Sequence, residues 1–251
     1  MYAKGHVVLL HAFPLNSTLW RSQIERAPTG WHFVAPDLPG FGASVLPAAR
    51  SMDGMAREVL NVLDEQGIDR AVIGGMSMGG YVTLALYKLA PERFSAMILA
   101  DTRATADNDQ QREGRGKMIH TVREHGAGAV ADEMLPKLLG ATSQRERPQL
   151  AAQVREMIEG NSREAIAGAV EAMMTRPDSR PLLAHITVPT LVVCGEEDVL
   201  TPPSDSEALH AGISGSRLTR IQRAGHLCCI EAPEAFSMAM NVFLGELSAP
   251  E

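Results

Sequence analysis

The stretch Val72-Ile73-Gly74-Gly75-Met76-Ser77-Met78-Gly79-Gly80 leaves this chain few ways to fold. An apolar, β-branched run ends in glycines, and a helical pattern starts at once and is stopped by Pro91. A strand that becomes a helix within so few residues brings backbone against backbone, which glycine permits and larger residues do not. Gly75-Met76-Ser77-Met78-Gly79 fits Gly-x-Ser-x-Gly, the sharp turn that lifts a serine Oγ above the end of a parallel sheet. The amides and dipole of the following helix then favour negative charge developing beside that serine. The pattern alone also fits an ordinary glycine-rich turn, so the rest of the chain has to decide.

Residues 6–10 form a near-continuous apolar run, as in buried parallel strands, and further strands are read at 31–35, 70–74, 95–100, 190–194 and 217–222. Ser17 is the expected cap of a helix through Arg26. Residues 36–44 hold too much Pro and Gly to be regular. Met52, Met55, Val59, Val62 and Leu63 have helical spacing, and Gly67 closes that helix. From 102 to 185 the chain turns charged and rich in Met, Ala and Glu, and reads as several short helices. The expected fold is therefore α/β: a doubly wound, mostly parallel sheet of about six strands. Residues 1–101 and 186–251 form its core, and 102–185 form a helical cap.

Composition narrows the partners. The net charge is −7 and there is no basic run, which argues against nucleic acid or an anionic membrane. No apolar run is long enough to span a bilayer. The run at 7–10 is too short for a signal-peptide core, so a cytoplasmic protein is expected. Three cysteines without metal spacing suit a reduced compartment. His120 and His125, five apart, do not share a helical face, so no metal site is expected. Gly-x-Gly-x-x-Gly and Gly-Lys-Ser/Thr are both missing around Ser77, and the chemistry is expected to need no cofactor.

Ligands of an open parallel sheet bind outside the carboxyl ends of its strands. There the first strand delivers His11-Ala12-Phe13, the third Ser77 and the fourth Asp101. The fifth leads into Gly195-Glu196-Glu197-Asp198 and the last into Ala224-Gly225-His226. Nucleophile, acid and base thus come in the order Ser…Asp…His. With these stretches, and with Asp37-Leu38-Pro39-Gly40-Phe41-Gly42-Ala43-Ser44, the chain resembles the α/β-hydrolase fold superfamily over nearly its whole length. It is most similar to the group of small esterases, enol-lactonases and carbon–carbon hydrolases.

On that resemblance Ser77 is the nucleophile, His226 the general base and Asp198 the acid that orients it, with Asp101 the rival acid. The resemblance and the turn geometry nominate the backbone N–H groups of Phe13 and Met78 as the oxyanion hole. Ala12 stands where the family usually has glycine, so this loop is expected to be less free to take positive φ. Met1 to Gly5 leave little chain for the usual N-terminal hairpin. His11 and Asp37 are expected to hold backbone in place, and Cys228-Cys229 to pack as small hydrophobes. Met76, Met118, Met134 and Met173 suggest an apolar acyl or alkyl pocket, with Arg103 available to a substrate carboxylate or to a salt bridge. The implied activity is cleavage of a small-molecule carboxylic ester through an acyl-enzyme. Enol-lactone hydrolysis is the runner-up, carbon–carbon hydrolysis and perhydrolysis are further options, and a ligand receptor on the same fold is the non-enzymatic one.

Overall fold

The computed structural model describes residues 5–247. Strand β1 (Gly5–Leu10) leads into a 3-10 turn (Ser17–Trp20) that runs on as α1 (Arg21–Glu25). Asn16, not Ser17, caps this segment, its Oδ1 accepting from the Thr18 N–H at 3.1 Å. Asparagine is at least as good a cap as serine, and the Ser17 N–H is already given to Asp37. After β2 (Trp31–Val34) the Pro/Gly loop folds around the Asp37 carboxylate, which accepts from Ser17 N at 2.7 Å and Ala43 N at 2.8 Å. The imidazole of His11 accepts from Leu38 N through Nε2 at 3.0 Å, so Nδ1 carries the proton and donates to Ala12 O. Complete burial lowers the His11 pKa to about 4, outweighing the Ala12 hydrogen bond and Asp37. His11 thus stays neutral and splints two loops.

Helix α2 (Met52–Glu65) starts at Ser51, whose side chain accepts from Gly54 N, and buries Met52, Met55, Ala56, Val59 and Leu63 along one face. Gly67, at φ 65°, turns the chain away after it. Strand β3 (Ala71–Met76), α3 (Met78–Leu89) and β4 (Phe94–Ala100) follow. Six helices then intervene: α4 (Asp109–His125), α5 (Ala127–Leu138), α6 (Ala141–Glu146), α7 (Gln149–Glu159), α8 (Arg163–Met174) and α9 (Arg180–Leu183). The sheet is completed by β5 (Thr190–Gly195), α10 (Pro203–Gly212) and β6 (Arg217–Ile221), and the chain ends with α11 (Cys228–Glu231) and α12 (Pro233–Glu246).

Six strands, all parallel, lie in the order β2-β1-β3-β4-β5-β6. The winding reverses between β1 and β3, and a crevice opens there at the strands' carboxyl ends. The shortened sheet agrees with the reading above; the reduced hairpin, apart from Gly5, lies outside the described residues. β3 and β5 are buried along their whole length, while β6 at the edge is largely exposed.

Ser77 occupies the reversal point with φ 81° and ψ −105°. A Cβ on Gly75 would overlap the Gly79 carbonyl, and one on Gly79 would overlap the Leu10 carbonyl. Gly80 meets the Thr102 side chain, whose Oγ1 donates to Ser77 O at 2.8 Å. Gly75→Ala is expected to cost about 3 kcal/mol or more, the upper end for overpacking, because backbone cannot yield as a side chain can. Gly116, inside α4, faces open space, and Gly116→Ala is expected to stabilise by about 0.5–1 kcal/mol. Urea-unfolding midpoints of the two variants check both signs.

Candidate active site

The turn after β3 presents the Ser77 hydroxyl to the loop that follows β6. Ser77 Oγ lies 2.8 Å from His226 Nε2, and His226 Nδ1 lies 2.8 Å from Asp198 Oδ2. All three side chains are buried. With a carboxylate on Nδ1, that nitrogen carries the imidazole proton, and Nε2 is left to accept from the serine. A hydroxyl bonded in this way can lose its proton as it attacks a carbonyl.

The support around this relay was only partly visible in the sequence. Asp198 Oδ1 accepts from Leu200 N at 2.8 Å and Thr201 N at 3.0 Å, and Oδ2 accepts from Thr201 Oγ1 at 2.6 Å. Asp198-x-x-Thr201 is a turn signature, and that spacing was the available clue. Glu231 was missed altogether. Its Oε1 accepts from Gly225 N and Leu227 N, on either side of His226, while Oε2 accepts from Gly140 N.

Burial on its own would raise the Asp198 pKa. The His226 charge and the hydrogen bonds from His226 and Thr201 together outweigh it and hold the group below the usual carboxylate range. Asp101 has the opposite environment. It is fully buried at φ 42°, with Oδ1 accepting from Gly195 N at 2.8 Å and Oδ2 2.8 Å from Cys228 Sγ. Burial first, then the nearby Asp198 charge, pushes its pKa well above the usual range. Of the two candidate acids, Asp198 is the one hydrogen-bonded to His226.

Among the described residues, the N–H groups of Phe13 and Met78 have no protein acceptor. Ala12 is not at positive φ, so the missing glycine costs the loop nothing. A cavity of about 300 Å³ opens on Ser77 and His226, lined by Phe13, Met118, Met134, Met173 and Arg103. Met76, expected with them, does not line it. β3 extends to Met76 rather than stopping at Gly74, and strand alternation turns that side chain into the core, where its Sδ is 3.6 Å from Cys229 Sγ. His120, His125 and His210 are exposed and distant in role.

A family model described as alpha/beta hydrolase fold matches residues 5–233. The 3-oxoadipate enol-lactonase 2 of Acinetobacter baylyi is 28% identical over 239 residues, 95% of this chain and 88% of that protein. A pimeloyl-acyl-carrier-protein methyl ester esterase of Neisseria meningitidis is 30% identical over 253 residues, 95% of this chain and 92% of that protein. A thermophilic esterase from Thermogutta terrifontis, solved with malate bound, superposes with a TM-score of 0.94 at 35% identity, covering 98% of this chain and 92% of that one.

The contrast between the two acids has a consequence for stability. A carboxyl whose pKa is raised by folding favours the native state below its unfolded pKa of about 3.9, and that contribution is lost as pH rises towards the folded value. Asp101→Asn removes the penalty. Its stability relative to the parent is expected to climb by up to about 1.4 kcal/mol per pH unit above pH 4. Denaturant midpoints between pH 4 and 7 measure this directly.

Proposed function

This chain belongs to the alpha/beta hydrolase fold family, and we propose that within it the protein is a serine hydrolase of carboxylic esters and lactones. The observation that carries the reading is the continuous hydrogen-bonded path from Asp198 through His226 to Ser77 at the wall of a cavity. Relatives whose names are those of esterases and an enol-lactonase support the substrate class.

Ser77 Oγ attacks the carbonyl carbon while His226 Nε2 takes its proton. The carbonyl oxygen becomes an oxyanion and is met by the Phe13 and Met78 N–H groups, which need to break no protein bond to receive it. Met78 opens α3, so its amide belongs to the positive end of that helix. As the tetrahedral intermediate collapses, the imidazolium returns the proton to the departing alkoxide, leaving an acyl-enzyme. A water molecule then gives its proton to His226, attacks the acyl carbon and releases the acid with Ser77 restored. Asp198 stabilises the imidazolium in both halves and does not itself take the proton. In a lactone the alkoxide remains tethered to the acyl group, and the same steps apply.

Residues 102–185 act as a cap over this centre. The cap supplies Met118, Met134 and Met173 to the cavity wall. About 300 Å³ is at the small end for ligand pockets, which favours short acyl groups. The receptor reading called for an exposed apolar patch on the cap. The exposed large apolar side chains are Ile24, Val45, Leu46, Val199, Met238 and Val242, all outside 102–185, and that reading gains no support among the described residues.

Steady-state hydrolysis of p-nitrophenyl esters of increasing acyl length tests the proposal. Turnover is expected to peak at short acyl chains and to vanish in Ser77→Ala. Asp198→Asn should lower kcat by roughly 10⁴-fold through the wrong imidazole tautomer. Asp101→Asn should change kcat by less than about threefold, since Asp101 is bonded to Gly195 N and Cys228 and not to His226. A folded parent protein that hydrolyses none of these esters or an enol-lactone would refute the reading.

A further inference from the structure

The cavity in front of Ser77 is lined by more cationic than anionic side chains, Glu133 being the one carboxylate in its wall among the described residues. Three permanently cationic side chains reach its wall: Arg103, Arg115 and Lys137. Arg115 gives its Nε–H to Asp107 at 3.1 Å, a fully buried carboxylate that also has Arg176 2.8 Å from its other oxygen. Lys137 is one helical turn from Glu133, 3.6 Å away. Arg103 has no comparable partner among the described residues. Its ion-pair acid, Asp205, lies 3.8 Å from Nη1, outside hydrogen-bond reach. Its Nε–H is buried without an acceptor. The Tyr81 hydroxyl also acts on the guanidinium, while Asp205 and Asp107 act on it through space without a hydrogen bond.

Position adds to this. Arg103 and Tyr81 form a wall common to the Ser77 cavity and to a second cavity of about 370 Å³. Arg103 therefore adjoins both the reaction chamber and the space next to it. An under-paired guanidinium in a half-buried wall is costly to cover with apolar ligand atoms. A carboxylate matches its planar fork and restores the missing hydrogen bonds.

We infer that Arg103 is a specificity residue that binds a free carboxylate on the substrate, so that half-esters of dicarboxylic acids and carboxylate-bearing lactones are preferred to neutral esters of equal length. This rests on the hydrolase reading above. Neutral acyl groups would fill the same space and leave the guanidinium with no carboxylate within hydrogen-bond reach, which is the kind of mismatch that discriminates strongly between substrates. Asp205 competes weakly for the same cation from outside both cavities, and its removal frees Arg103 for the ligand.

The test compares methyl half-esters of C4 to C8 diacids with methyl esters of monoacids of matched length, in the parent, Arg103→Gln and Asp205→Asn proteins. At the best length the half-ester is expected to lead by tenfold or more, roughly, in kcat/KM. Arg103→Gln should erase that lead through the half-ester KM, leaving half-ester and neutral ester within about twofold of each other, and Asp205→Asn should lower the half-ester KM. Arg103→Lys, which keeps the charge but not the fork, should retain part of the preference and stands in should Arg103→Gln fail to fold. No preference at any length, or a preference that persists in folded Arg103→Gln, overturns the inference while ester turnover lost in Ser77→Ala leaves the hydrolase reading intact. Calorimetric titration of the free C4 to C8 diacids into Ser77→Ala reads the site without turnover. Binding that disappears in Ser77→Ala/Arg103→Gln supports the inference even if no ester is cleaved, and no binding of any diacid refutes it.

Discussion

The turn at Ser77 depends on backbone packed against backbone with no room for a side chain. Gly75 lies under the Gly79 carbonyl and Gly79 lies on the Leu10 carbonyl, so α3 begins against the ends of β1 and β3. That approach forces Ser77 to φ 81°, a conformation that costs a non-glycine residue roughly 1–3 kcal/mol. The Ser77 N–H on Ala100 O and the Thr102 hydroxyl on Ser77 O hold it there. One constraint therefore fixes three things: the exposure of the Ser77 Oγ, the free Met78 amide, and the position of Leu10, from which the Phe13 loop departs.

The second organising element is a set of buried and half-buried polar side chains that join the helices between β4 and β5 to the sheet. Asn161 donates to Pro14 O and Met157 O at 2.8 Å and accepts from Gly42 N at 2.9 Å, tying α7 to both loops at the β1 and β2 ends. Glu231 links Gly140, before α6, with the backbone around His226. Glu197, beside Asp198, accepts from the Thr142 N–H at 2.8 Å. Buried polar groups without partners are costly, so each of these bonds also resists displacement of the helices from the site. The result is a cavity whose roof and floor share the same anchors.

Much of this was legible beforehand because the informative signals were local. Strand ends, the Gly-x-Ser-x-Gly turn and the helix closed by Gly67 depend on neighbours in sequence, and the structure follows them to within two residues. The failures came where distant residues decide. Ser17 gave way as cap to Asn16, and Asp37, twenty residues on, fixes the Ser17 backbone at that point. Met76 was assigned to the pocket because it adjoins Ser77, whereas the longer β3 turns it into the core. Glu231 sits in an apolar stretch with nothing to mark it, since its three backbone partners come from 140, 225 and 227.

The pair Asp101 and Asp198 shows why strand-end position was insufficient to choose between them. Both follow a strand of the same sheet, and both are buried. Asp198 is met by three donors from Leu200 and Thr201 as well as by His226, enough to keep a desolvated carboxylate ionised. Asp101 is met by one backbone N–H and a thiol, and faces the Asp198 charge besides. Two negative charges in so little space repel, which adds to burial in pushing the Asp101 pKa up while His226 and Thr201 hold that of Asp198 down. A carboxylate held on Nδ1 can stabilise an imidazolium, and of the two only Asp198 is bonded there. The division follows from how many donors each loop provides, which is a property of the folded loops after β4 and β5 and not of the residue type.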